Sequence, residues 1–490
     1  MVNITTNRTE YQNDIAEMIR AYLGFVELQF VDEAADDSTY SLTVMLDETE
    51  GKVTASGRKA GIPAPVTGSY SFVTDHSSVL QHKKEEKRAL KIALFRVMRE
   101  LEPHRTLPWG ALTGIRPTKL LRELSDTLGE EEAFSLFTGD FCVRQDKARL
   151  AQSIIDVQRP IFSSIREREL SVYIGIPYCR TKCLYCSFVS EVLPKNGVPQ
   201  AYLDALFEDI ALGAALAKDC GYTVRSTYIG GGTPTVLTAA ELNALLEHLQ
   251  NAYGTFGQEL TVEAGRPDTI DKEKLAVLKR MGTTRISLNP QSMHTETLQR
   301  IGRKHTPADI VCAFRDARAV GFDNINMDII VGLPGETITH IQQTLEQIAD
   351  LQPDSLTVHT LAVKRSSRLK EQLDQYRLPE AEETEAMVAF AAQAASALGM
   401  RPYYMYRQKY MRGNLENIGY AMPGKDCIYN VDMMEEMLSI LAHGAGAMTK
   451  RVFPGKDMRV ERIPAPKDIA TYIQKIPLLN AQKRALFLEN

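Results

Sequence analysis

Three cysteines stand within eight residues in the run Tyr173-Ile-Gly-Ile-Pro-Tyr-Cys179-Arg-Thr-Lys-Cys183-Leu-Tyr-Cys186. The spacing is C-x3-C-x2-C. Thiolates are soft ligands suited to an iron–sulfur cluster or to zinc. Three of them bind three irons of a [4Fe-4S] cube and leave the fourth open to the amino and carboxylate groups of a small molecule. Structural zinc and incidental cysteines are the alternatives. Structural zinc takes four protein ligands, often as paired C-x2-C units, and neither a second pair nor a nearby His is present. The other four cysteines, Cys142, Cys220, Cys312 and Cys427, are scattered. An odd count in a large chain argues against a disulfide framework.

The elements that must position this trio read regularly from residue 171 onward. Strand composition occurs at 171–176, 226–230, 259–263, 284–288, 324–331 and 355–361, with helical segments at 201–218, 239–252, 271–281, 306–320 and 338–350. Such alternation implies a parallel sheet with right-handed crossovers, either a partial (β/α) barrel or a doubly wound sheet. In both, ligands sit at the carboxyl ends of the strands. The cysteine loop directly follows the first strand. Residues 1–105 read as a small α+β unit of unassigned role, with strands at 40–46 and 69–73 and a helix at 82–101. A mostly helical connector at 106–165 opens with LPWGALTGIRP (107–117), whose Arg116 reads as a solvent-facing loop residue or an anion contact. The barrel would occupy 166–370. A mixed extension at 371–490 carries a helix at 380–398, the aromatic–basic run RPYYMYRQKYMR (401–412) and the small-residue turn HGAGA (443–447).

C-x3-C-x2-C with an aromatic before the last Cys resembles the signature of the radical S-adenosylmethionine (SAM) superfamily. The resemblance implies an α/β fold built on a partial (β/α)6 barrel, with a [4Fe-4S] cluster and SAM as cofactors. Further features follow in order. Gly230-Gly-Gly-Thr-Pro-Thr235 lacks the spacing and Lys of a phosphate loop. Glu263 ends the third strand, where a carboxylate can face a barrel mouth and accept from ribose hydroxyls. Arg303, in IGRKH, suits a carboxylate through bidentate pairing. Asp328 is a lone acid in the apolar strand NINMDIIV, where it needs a partner. Together with Gln291 in SLNPQSM, these features resemble the branch of oxygen-independent coproporphyrinogen III oxidases (dehydrogenases) and heme chaperones. The layout is similar to a longer, second-type coproporphyrinogen dehydrogenase subgroup that carries the LPWG-x-LTGIRP and YRQK…GNLENIGYA stretches. By this resemblance Tyr173, Gly231, Gly232, Thr233, Glu263, Gln291, Arg303, Asp328 and Ala362 contact SAM. Ala362 would pack on the adenine, and Tyr185 would lie beside the cluster.

The implied activity is radical decarboxylation of two coproporphyrinogen III propionates to vinyl groups, giving protoporphyrinogen IX. A flavodoxin or ferredoxin-type protein would be the reductant. Arg407, Lys409 and Arg412 are candidate clamps for the tetrapyrrole carboxylates. Tyr403, Tyr404 and Tyr406 are candidate stacking partners for the macrocycle, or members of an ordinary aromatic core strand. Two departures stand out. Ser187 and Phe188 follow Cys186, where the oxidase has a further Cys two residues on. The heme chaperones' His-Asn-x-x-Tyr-Trp tail motif is also missing, since the only Trp is Trp109. A heme-binding or heme-transfer protein is therefore the rival reading, with His359 and His443 as possible ligands and satisfied core histidines as the plainer account. Another radical reaction on a tetrapyrrole is the third.

Composition bounds these readings. The 490 residues are 44% hydrophobic and 24% charged, with a net charge of −5. That is a globular composition with no basic block for nucleic acid. The N-terminus shows no signal-peptide pattern and no apolar run is of membrane-span length. The expectation is a cytoplasmic protein, with a lean to monomer from the family.

Overall fold

Short runs that alternate polar and apolar side chains build the centre of the molecule. The structure, a computed structural model, describes every residue except Phe25, 33–37, 75–78, Ile115, Val189, Tyr410, 454–458 and Asn490, and the side chains of Leu80 and Arg412. The chain divides into two units, Met1–Gln152 with Arg407–Leu415, and Ser153–Tyr406 with Glu416–Asn490.

In the second unit six strands, β1 (Glu169–Ile176), β2 (Thr223–Gly231), β3 (Glu259–Glu263), β4 (Arg285–Gln291), β5 (Ile325–Val331) and β6 (Ser355–Thr360), pair in parallel in chain order. An unreversed order with right-handed crossovers places the intervening helices on one face and curls the sheet toward a partial barrel; a doubly wound sheet would need a reversal. One phase of the strands is apolar, including Val172, Ile174, Ile229, Val262, Ile286, Met327 and Val358, all buried. The opposite phase is polar: Ser171 and Tyr173, Ser226 and Tyr228, Thr261 and Glu263, Ser287, Asn326 and Asp328, Thr357 and His359. Side chains of this phase bond one another across the strands, as in Asn326 Nδ2 to Ser287 Oγ (2.8 Å) and Thr357 Oγ1 to Asn326 Oδ1 (3.1 Å). This phase lines the concave side.

The extension widens the same sheet at both edges. β7 (Arg401–Tyr406) and β8 (Asn417–Ala421) add antiparallel beyond β6, and β9 (Ser439–His443) lies parallel beside β1, followed by β10 (Met448–Val452) and β11 (Val460–Pro464). The strand character of 417–421 and 439–443 is not anticipated by the sequence reading, because each is a short buried run without alternation. Tyr403 and Tyr404 on β7 are buried core residues, packed with Cys427 and Tyr429. They are not free to stack on a macrocycle.

Behind β9 lies a charged cluster that is wholly buried. Asp209, on the helix Gln200–Asp219, accepts from Lys483 Nζ (2.7 Å), Tyr472 OH (2.9 Å), Asn480 Nδ2 (3.1 Å) and the Gly444 amide (3.3 Å). His443, fully buried, bonds Tyr253 OH through Nε2 at 2.7 Å. Its Nδ1 stands 3.3 Å from Asp209 Oδ1, so it is a core histidine enclosed in this cluster with no access for an external ligand. A Cβ on Gly213 would stand 2.2 Å from His443 Cε1. Gly213→Ala is therefore expected to destabilise the fold by about 1–3 kcal/mol through overpacking, read as a lower urea midpoint.

In the first unit a five-stranded sheet runs in the order Leu28–Phe30, Val2–Thr6, Tyr40–Asp47, Lys52–Lys59, Val66–Ser71. The helix Val79–Leu101 packs on its last strands through residues such as Leu90, Leu94, Val97 and Leu101. Arg116 is half-buried and immediately precedes the helix Pro117–Leu128. Arg407 is buried and spent on carbonyl oxygens: it donates to the main-chain Leu112 O (2.5 Å) and Asn414 O (3.1 Å) and to the side-chain Asn414 Oδ1 (2.6 Å), with its guanidinium 5.6 Å from the ring of the buried Trp109. This gives the LPWG stretch a structural role as a cage for Arg407 and removes Arg407 as a propionate clamp. Lys409 pairs with Glu17. The Arg412 side chain lies outside the described residues.

Candidate active site

The cysteine loop leaves β1 at Ile176 and is stitched at once to the glycine-rich turn of β2. The Gly232 amide donates to Ile176 O and the Thr233 amide to Tyr178 O, both at 2.8 Å. Gly231 adopts φ +105°, and a Cβ on Gly232 would lie 2.5 Å from Tyr178 O. Only glycine permits this backbone contact. Thr233 Oγ1 then reaches Cys179 Sγ at 3.4 Å, a bond of the kind that tunes a metal-bound sulfur. The far side of the loop is held by Leu184 N on Ile301 O (3.0 Å) and Thr181 Oγ1 on Gly302 O (2.9 Å).

Burial pushes the Cys186 thiol up to about 11, with Cys183 and Cys179 adding to the rise and Lys182 opposing it. The three sulfurs therefore share one locale. Among the described residues no three His, Cys, Asp or Glu side chains converge as a single metal ion would require. Three thiols without a fourth donor suit a cube in which each thiolate takes its own iron.

Arg303 lies buried against this loop; burial works to lower its guanidinium, but the neighbouring Tyr185 and Cys183 side chains outweigh it and raise it. Its Nη1 donates to Gly265 O (3.2 Å) and to Asn289 O. Its Nε is buried with no partner among the described residues. Gln291, ending β4, shows the same incompleteness: it is a non-glycine residue at φ +66°, and its buried Oε1 also lacks a partner. Strained backbone and unfilled buried hydrogen-bonding capacity mark ligand positions. These residues fit a zwitterionic ligand next to the cluster loop.

Deeper in the concave face, Tyr173 stacks on Tyr228 (6.2 Å, 14°) and Tyr429 (6.1 Å, 23°), while Tyr228 and Tyr429 lie 4.6 Å apart. Glu259 places Tyr429 by accepting from the amides of Ile428 (2.9 Å) and Tyr429 (3.3 Å) at the start of the helix Ile428–Glu435. Tyr228 OH donates to Glu263 Oε1 at 2.7 Å. Asp328 stands on the opposite wall, 3.6 Å from His359 Nε2, and His359 Nδ1 lies 3.3 Å from Tyr406 OH. The two carboxyls are split electrostatically. Burial and the nearby Asp328 outweigh the Tyr228 bond and raise Glu263 to about 7. Asp328 is also penalised by burial, but bonds from His359, Asn326 and Thr357 hold it below its ordinary value. Ala362 is buried two residues past the end of β6, not at its end.

Tyr228 and Tyr429 were not singled out in the sequence. A signal for Tyr228 exists, since β1 and β2 both read Tyr-Ile-Gly (173–175 and 228–230) and Tyr173 pairs with Tyr228 in register. Tyr429 comes from a helix some 200 residues further on and has no such signal.

Glu263 carries a pH prediction for the ligand-free protein. An unfolded Glu releases its proton near pH 4.3, whereas folded Glu263 keeps it to about 7. Between these values the unfolded chain binds fewer protons, so this residue's contribution to stability falls as pH rises toward 7 and is level above it. Glu263→Gln should flatten the urea midpoint measured from pH 5 to pH 8. A slope identical to that of the parent protein would refute the assignment.

Comparison with known proteins follows this geometry. The radical SAM superfamily model matches residues 173–348. The chain is 37% identical over 466 residues to the oxygen-independent coproporphyrinogen-III oxidase-like protein HemZ of Bacillus subtilis strain 168, covering 93% of this chain and 91% of that one. It is 31% identical over 237 residues to the heme chaperone HemW of the same organism, covering 48% and 62%. The solved structure of coproporphyrinogen III oxidase HemN from Escherichia coli aligns with a TM-score of 0.52 at 24% identity over 66% of this chain and 72% of that one, a likeness of fold. No helix among the described residues is long and apolar enough to cross a membrane.

Proposed function

Because this chain belongs to the radical SAM superfamily, in the branch of coproporphyrinogen oxidase-like proteins and heme chaperones, we propose that it oxidatively decarboxylates coproporphyrinogen III propionates to vinyl groups, giving protoporphyrinogen IX. The observation that carries the reading is the incomplete polar rim at Gln291 and Arg303 above a polar concave face, next to three cysteines on one loop. When bound, the cluster and SAM would supply a 5′-deoxyadenosyl radical able to take a hydrogen atom from a propionate β-carbon, after which transfer of one electron to an external one-electron acceptor and release of CO2 would leave the vinyl group.

The chain's own residues hold the reactants. Cys179, Cys183 and Cys186 hold the cluster. Arg303 pairs with the SAM carboxylate, and its Nε is the unfilled donor. Gly231, Gly232 and Thr233 offer the turn for the amino group. Glu263 and Asp328 serve the ribose, with Glu263 protonated below about pH 7 and so able to donate as well as accept. Tyr173 is an aromatic wall of the SAM site, Tyr185 packs beside the cluster, and Ala362 is the adenine contact. The Asp328–His359–Tyr406 file fixes His359 on the β6 wall, with its Nε2 facing Asp328 and its Nδ1 facing Tyr406 OH. The likeness over nine-tenths of both chains to an oxidase-like protein favours this substrate.

The test is an anaerobic assay of the reconstituted protein with coproporphyrinogen III, SAM and a reductant, following 5′-deoxyadenosine and porphyrin products together by mass spectrometry. Vinyl product in step with 5′-deoxyadenosine is the expected result. SAM cleavage with an unchanged tetrapyrrole would overturn the substrate. Stoichiometric heme binding without turnover would move the protein to the chaperone class.

A further inference from the structure

Glu263 is held by one of its two oxygens only, and the residue that holds it is supported in turn from the extension. Tyr228 OH donates to Glu263 Oε1 at 2.7 Å, while Oε2 bonds no described residue. Both residues belong to the concave phase and are only partly buried. Gly230 makes room for the bond: a Cβ there would stand 2.8 Å from the Tyr228 ring and 3.0 Å from the Glu263 carboxyl. The Tyr228 ring is clamped between others, with Tyr429 4.6 Å away at 25° and Tyr173 6.2 Å away at 14°.

Tyr429 comes from the helix Ile428–Glu435, and the strands fix that helix at two points. Glu259, four residues before Glu263 on β3, accepts from the amides of Ile428 (2.9 Å) and Tyr429 (3.3 Å). Asp432, three residues past Tyr429 and fully buried, accepts from Arg225 Nε on β2 (3.2 Å) and Ser171 Oγ on β1 (3.4 Å). A free glutamate samples many rotamers, and a ligand that needs one of them must stop that motion on binding. Here the bond from Tyr228 stops it beforehand and leaves Oε2 as the oxygen for a ligand hydroxyl. We propose that Tyr228 is a positioning residue for Glu263, presenting its free oxygen to the ribose diol of SAM, and that Tyr429 brings the extension into this site by holding Tyr228. The inference rests on the reading of Glu263 as a ribose contact and not on the identity of the tetrapyrrole.

Calorimetric titration of SAM into the reconstituted protein, without tetrapyrrole, tests it. Tyr228→Phe keeps the ring and removes the donor, and should bind SAM about ten-fold more weakly. In a Glu263→Ala background the same change should cost little more. Tyr429→Leu should also weaken SAM binding, and Tyr429→Phe should restore it, because the ring and not the hydroxyl makes the stack. A second readout needs no ligand. Burial and Asp328 disfavour the ionised Glu263 carboxyl and the Tyr228 bond favours it, while Tyr173 and Tyr429 are kept neutral by burial. The protonated-carboxyl infrared band of Glu263, assigned by its loss in Glu263→Gln, should therefore persist to higher pH in Tyr228→Phe than in the parent. Unchanged SAM affinity in Tyr228→Phe would overturn the proposal, as would a loss just as large in the Glu263→Ala background or an unmoved infrared titration. Parent-like SAM binding by Glu263→Ala would instead remove the ribose contact, and the infrared titration would still decide whether Tyr228 holds the carboxyl.

Discussion

Cys186→Ala is expected to yield a colourless protein after anaerobic reconstitution, with iron content near background and no 5′-deoxyadenosine above control. Among the described residues the cysteine is one of three soft donors in its locale, and no fourth protein donor joins them. An alanine leaves two thiols, which cannot retain a cube whose open iron must stay free for SAM. Cys312→Ala is the matched control: that thiol is exposed on the helix Pro307–Val320, and its loss should change neither colour nor turnover. Because burial raises the Cys186 thiol to about 11, loading the cluster must expel a proton, and reconstitution should improve as pH rises from 7 to 8.5. A Cys186→Ala protein that kept its brown chromophore and SAM cleavage would sink the ligand assignment.

The second large effect lies far from the chemistry. Asp209→Ala should destabilise the protein by about 3–5 kcal/mol, because it strands the buried Lys483 ammonium without its counter-charge. Lys483→Met should cost a similar amount by stranding the carboxylate instead. Lys483 also donates to Ala442 O on β9 (2.8 Å), and Tyr472 and Asn480 converge on the same carboxylate. The cluster thus ties the helices Gln200–Asp219 and Ile476–Leu488 to the sheet edge beside β1. Urea unfolding of the two single variants and of Asp209→Ala/Lys483→Met closes a cycle, in which the double variant should lose clearly less than the sum. Additive losses would show that the pair is not coupled.

The pH sense follows from the same partners. Burial works to raise Asp209, but His443 and Lys483 overcome it and hold the carboxyl well below its ordinary range. Its contribution is therefore complete above the unfolded value near pH 3.9 and is lost as pH falls below it. Asp209→Asn should show a shallower acid limb than the parent.

The sequence by itself determined the parts of this protein whose signal is local. The cysteine trio is legible because a ligand set on one loop has fixed spacing. The six parallel strands are legible because alternation within five to nine residues records which side of each strand meets the helices. Glu263 and Asp328 follow, since a polar residue in an otherwise apolar strand belongs to the phase that faces away from the apolar core.

Tertiary structure alone decided what depends on distant partners. Nothing near residue 443 says that His443 meets Tyr253, or that β9 pairs with β1 some 270 residues earlier. Tyr429 reaches the Tyr173–Tyr228 stack only because Glu259 fixes the start of its helix. Arg407 reads as a surface cation in an aromatic–basic run, yet its guanidinium is used up by carbonyls and the Trp109 face. The physical reason is common to all of these. A buried polar group must find its partners wherever the fold brings them, and that choice leaves no periodic trace in the neighbouring residues.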